Sequence, residues 1–204
     1  LETLANSLAG GMLAVLSTAR VELIAWKFLR LAVILPFALI TACAAWSIRV
    51  SPDVSPIGSA FLLGLGAGIC SLVLILISPT GQTRTATFRV LSACGGLLGI
   101  TAASVCAVHA LSAANSDPAS PLLTVILAAF GQVLGGWMLG SITLAWLLGH
   151  AYLTATTMTI APLWHFSQML TWSVTARVLF VIVSGALAWL SMDAGTPSVF
   201  VRLE

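Results

Sequence analysis

Residues 122–149 run without a single charged side chain, and this stretch limits the fold more than any other part of the chain. At a rise of about 1.5 Å per residue, a helix of that length outreaches a hydrocarbon layer of roughly 30 Å, so it must cross a bilayer and tilt within it. Two glycine pairs lie inside it, Gly131 with Gly135 and Gly136 with Gly140. At about 100° per residue the pairs point about 140° apart, so this one helix can accept close neighbours on two sides. It is expected to be the element around which the others pack. A further line of Gln132, Gly136, Thr143 and His150 falls within about 40° and forms the one organised polar stripe. That stripe ends in a group of His150, Tyr152, Trp164 and His165.

The other segments have the same character. Of 204 residues, 59% are hydrophobic and 7% charged, with a mean hydropathy of +1.09, which leaves too little charge to cover a water-soluble surface. The expected fold class is all-α, a polytopic transmembrane helical bundle of about six spans forming a single integral-membrane domain over 1–204. The spans are placed near 4–18, 31–48, 57–78, 90–111, 122–149 and 169–190. Small residues repeat at helical spacing in two of the others, as Ala60, Gly64 and Gly68 and as Ser92, Gly96, Gly99 and Ala103, which predicts close helix contacts there. Residues 150–166 carry no formal charge, are rich in threonine and contain Pro162; they read as an interfacial or re-entrant segment. No basic segment precedes the first apolar stretch, so no signal peptide is read there.

Orientation follows from the distribution of Lys and Arg. With six spans, Arg20, Lys27, Arg30, Arg84 and Arg89 share one side, with Arg177 leaning the same way, while Arg49 and Arg202 lie on the other. The positive-inside rule turns the first group to the cytoplasm of a bacterial inner membrane and leaves both termini extracytoplasmic. Thr83→Cys should then be labelled by an impermeant maleimide only in inverted membranes; labelling of intact cells would reverse the topology.

Several functions are disfavoured at this level. The net charge is +2 with no basic cluster, so nucleic acid is not an expected partner. Glu2, Glu22, Asp53, Asp117, Asp193 and Glu204 all lie in loops or chain ends, whereas ion-coupled transport normally needs a carboxylate at membrane depth. Cys43, Cys70, Cys94 and Cys106 sit in apolar segments without CxxC spacing and read as packing residues.

The candidate cofactor-binding residues are Gln132, Thr143, His150, Tyr152, Trp164, His165 and Arg177. Neutral imidazoles can ligate haem or hydrogen-bond a quinone, so His109, His150 and His165 are the candidate metal ligands. His109 and His150 end successive spans on opposite sides, about 30 Å apart, and cannot share one haem. The plain alternative for each is an interfacial histidine bonded to backbone or water. Arg177 has two readings: a buried guanidinium that binds something, or, if its helix begins near Val174, a side chain snorkelling to the cytoplasmic interface. Trp137 near mid-span packs against protein or a ring-shaped ligand such as a pigment.

The expected function is a subunit of a larger membrane complex, most plausibly a respiratory or photosynthetic electron-transfer assembly, contributing to a haem, quinone or pigment site. Its partners are the lipid bilayer and other membrane subunits. Two alternatives stand beside it: a small-solute transporter or channel, and an enzyme acting on a lipid phosphate through His150, His165 and Arg177.

Overall fold

The computed structural model describes residues 2–20, 23–50, 59–77, 82–114, 121–154 and 160–193. Among these the regular structure is helical: α1 (Glu2–Thr18), α2 (Trp26–Val50), α3 (Ser59–Leu76), α4 (Gln82–Ala114), α5 (Pro121–Thr154) and α6 (Ala161–Asp193). The all-α expectation holds, but the span count does not reach six. Four stretches are long and apolar enough to cross a membrane, Trp26–Trp46, Thr85–Ala110, Val125–Leu153 and Ala161–Leu187, which is consistent with an integral membrane protein. The stretches Thr3–Thr18 and Ala60–Leu76 are shorter. At about 1.5 Å per residue, the 17 residues of α1 and 18 of α3 extend roughly 26 and 27 Å, just under the hydrocarbon thickness.

The long helices overrun their expected boundaries. α2 begins at Trp26, taking in Lys27 and Arg30 that read as an interfacial turn, and α4 begins at Gln82 rather than near 90. Of the segment 150–166, residues 150–154 end α5 and 161–166 open α6, with 155–159 outside the described residues. The physical reason is that a helical hydrogen-bond ladder continues past the hydrocarbon edge, so polar and threonine-containing turns stay helical where hydropathy has already fallen.

The centre of the bundle is α1, not α5. α1 packs against α4, α5 and α2, and the neighbouring pairs α2 with α3, α3 with α4 and α4 with α5 complete a ring around it. Ala9, Met12, Leu13, Val15 and Leu16 have no exposed surface. The adjacent glycines Gly10 and Gly11 point about 100° apart and serve two different crossings. Gly10 meets α4, where a Cβ on it would lie 2.6 Å from the Ile100 amide nitrogen. Gly11 meets α5, its Cβ position falling on the Gly136 backbone, and Gly140 in turn abuts Gly11. Lipid tails are as apolar as leucine, so what holds such a bundle is close van der Waals contact, which backbone-to-backbone approach at glycine maximises.

Register at these crossings gives direction. Ser7 meets Gly136 and Gly11 meets Gly140, so α1 and α5 run parallel; Gly10 meets Gly99 while Ala14 meets Gly96, so α4 runs against α1. Towards the C-terminal end of α1 the bundle closes on bulky side chains, with Leu16, Leu29, Leu74, Phe88, Leu144, Leu148 and Phe166 all fully buried. α6 stands outside this ring and packs mainly on α5.

Candidate functional site

A layer of polar contacts crosses α1, α5 and α6. Ser7 is 3% exposed, and its hydroxyl donates towards Gln132 of α5, 3.3 Å from Oε1 and 3.4 Å from the backbone oxygen. One residue earlier on α5, the carbonyl oxygen of Gly131 accepts from Arg177 Nη1 at 2.5 Å. The guanidinium also lies 5.7 Å from the centroid of Phe180, one turn further along its own helix, and Phe180 packs on Phe130 at 5.7 Å. The contact exists because α5 carries no side chain opposite it. A Cβ on Gly131 or Gly135 would sit 3.5 or 3.9 Å from Nη1, so this glycine pair is the groove in which the guanidinium lies.

Arg177 stands sixteen residues from each end of α6 (161 to 177 and 177 to 193). The helix that carries Arg177 starts at Ala161 and not near Val174, which puts Arg177 about 24 Å along it. Its partner among the described residues is the α5 carbonyl of Gly131.

The stripe read along α5 does not form one surface. Thr143 donates back to the Leu139 carbonyl of its own helix at 2.8 Å, the usual outlet for a hydroxyl in a helix. His150 is exposed; its Nδ1 lies 3.1 Å from the Trp146 carbonyl and its ring 4.4 Å from the Trp146 ring. A carbonyl oxygen only accepts, so Nδ1 is the donor in this contact. Only Gln132 is turned inward, onto α1.

The second set is at the closed end of the bundle. His165 is half-buried with Nε2 3.4 Å from Thr18 Oγ1, and the Thr18 hydroxyl itself donates to the Val15 carbonyl at 2.7 Å. The proton of that hydroxyl is engaged, so His165 donates from Nε2. Tyr152 and Trp26 are half-buried against the core there, while Trp164 is 64% exposed. His109 ends α4 at the opposite end of the bundle. Among the described residues no three His, Cys, Asp or Glu side chains come together as a metal site. Cys43, Cys70, Cys94 and Cys106 form no disulfide among the described residues.

Sequence reading overlooked Ser7 and Thr18. The signal was present: Ser7, Gly11 and Thr18 follow one face of α1 at helical spacing and lie along its contacts with α5 and α6. Compared with protein families, curated proteins and solved structures, the chain matches none.

Proposed function

We propose that this chain is an integral-membrane subunit of a larger assembly, seated in a bacterial inner membrane and acting through helix–helix contact. The observation that carries the reading is α6, which uses one face on α5 and leaves the rest open: Trp164, Trp172 and Trp189 are 64%, 71% and 69% exposed. Wide apolar exposure by itself suits lipid; polar side chains on the same helix suit protein.

Two competing readings draw less from the geometry. A channel through the chain needs an open axis, and α1 fills the axis of the ring with fully buried side chains. An enzyme acting on a lipid phosphate needs His165 and Arg177 together, yet they are twelve residues, about 18 Å, apart along α6. Within the assembly reading, an electron-transfer complex is the narrower form. The exposed ring of His150 supports it as a contact to a haem edge or quinone held by a neighbour, while the inward bonding of Gln132 weighs against a cofactor inside this bundle.

Extraction of native membranes in mild detergent tests the reading. The chain should migrate in native electrophoresis well above its own 21.1 kDa plus detergent, in a stoichiometric complex. A monodisperse single chain would sink it, and a Soret band in the complex would decide for the electron-transfer form.

A further inference from the structure

Basic side chains from three separate stretches of the chain meet at one end of the bundle. Arg20 follows the end of α1, and Lys27 and Arg30 lie in the first two turns of α2, which starts there. α4 runs against α1 with Gly96 at Ala14, so Arg89, seven residues before Gly96, stands about 10 Å further towards the same end. α6 adds His165, which lies against Thr18 and close enough to Arg20 for that charge to act on its ring. The sequence neighbours Ala19, Phe28, Leu29, Phe88 and Phe166 all belong to one buried cluster, so these groups surround a closed apolar floor. Arg20, Lys27 and Arg30 are exposed, and none of the three is in an ion pair among the described residues. Glu22, the one carboxylate in this part of the sequence, lies outside the described residues.

The same end is a membrane face. On α2, Arg30 and Arg49 are nineteen residues apart (30 to 49) with no charge between them, which is about 28 Å of helix and matches a hydrocarbon layer of roughly 30 Å. The two arginines therefore mark opposite faces. Arg20, Lys27, Arg30 and Arg89 stand at one, and Arg49 is the one described Lys or Arg at the other.

We infer that the first face holds the headgroup of an anionic lipid, a phosphate whose charge no ammonium of its own cancels. Charge complementarity selects the occupant. Cations gathered between helices at a membrane face attract a net negative headgroup, whereas a choline headgroup would bring a further cation among them. Arg20 and Arg30 offer the planar donor fork that pairs with two phosphate oxygens at once. Position selects the source: at the level where the apolar spans end, the phosphates within reach are those of the lipids. Trp164, 64% exposed beside His165, adds a ring of the kind that sits among headgroups. The inference concerns lipid and not another subunit, so it stands independently of the assembly reading above.

Competition between two lipids on the purified full chain tests it. Phosphatidylglycerol and phosphatidylcholine with the same acyl chains are offered in equal amounts to the delipidated chain in detergent, and native mass spectrometry reads which is retained. Phosphatidylglycerol should be preferred by about 10- to 100-fold. Arg20→Gln, Lys27→Gln and Arg30→Gln should each lower that preference by about 3- to 5-fold, the scale of one cation beside an anionic surface. Arg49→Gln, at the other face, should leave it unchanged. All four side chains are exposed, so the variants keep the fold. Equal retention of the two lipids overturns the site and leaves the cations to an acidic segment of another protein. A preference that Arg49→Gln lowers as much as Arg20→Gln does overturns it as well. Excess inorganic phosphate should not release the bound lipid; if it does, the site takes free phosphate and the lipid assignment falls.

Discussion

Gly140→Ala should destabilise the bundle by about 2 kcal/mol or more and lower its melting temperature by roughly 4–8 °C, although a single methyl group is added. The Cβ would fall on the backbone of Gly11, which cannot move as a flexible side chain could, and α1 at that point is held against α4 through Gly10 as well. Opening the α1–α5 crossing therefore strains the α1–α4 crossing. Two other glycines of α5 provide the contrast. At Gly135 the nearest atom to an added Cβ is Arg177 Nη1 at 3.9 Å, an ordinary contact, and at Gly149 nothing lies within 4 Å. Alanine at Gly149 should be neutral or stabilising by up to about 1 kcal/mol, because it is the better helix former. Thermal unfolding in one detergent checks all three. Equal melting of the Gly140 and Gly149 variants would remove α1 from the centre of the fold.

Arg177→Leu should make α6 insert into a bilayer more readily by about 3–4 kcal/mol, the difference between the two residues at a helix centre on the biological insertion scale. The sign matters: the native residue opposes insertion, so its presence calls for compensation elsewhere in the molecule. The compensation in the structure is the Gly131 carbonyl and the glycine groove around it, with the Phe180 ring alongside. Loss of that contact should loosen α6 from α5 in the folded chain even as the isolated helix inserts better. Arg177→Lys should not restore it, because an ammonium lacks the planar fork that lies in the groove. A glycosylation-mapping assay of α6 measures the insertion term. A change below about 1 kcal/mol would place Arg177 at an interface instead of at mid-span.

The two glycine pairs of α5 illustrate how far the sequence could be read. Their 140° offset predicted two neighbours, and both faces are used, Gly136 and Gly140 against α1 and Gly131 and Gly135 against Arg177 and Phe180. What spacing could not supply was the identity of either neighbour. It therefore treated Gly135 and Gly140 as equivalent, although one faces the Arg177 side chain and the other a backbone. The polar stripe failed for a related reason. Helical phase collects Gln132, Thr143 and His150 on one side, but a threonine hydroxyl or a histidine nitrogen can satisfy itself on its own helix, and both do so. Only Gln132 needed a partner, and that partner, Ser7, lies 125 residues away.

The sequence by itself determined the class: apolar helices of membrane-crossing length, small residues marking close contacts, and no carboxylate within the predicted spans. These follow from composition and period because the bilayer imposes one solvent on every lipid-facing residue and forces each backbone into its own hydrogen-bonded helix. Only the tertiary structure decided which helix is the centre. α1 is among the shortest and gives the weakest span signal, yet it is enclosed, because a helix surrounded by others is solvated by protein and need not meet the length that lipid demands. Centrality is a property of neighbours, and neighbours are set by long-range contacts such as Gly10 with Gly99 and Gly11 with Gly140, which no local window contains.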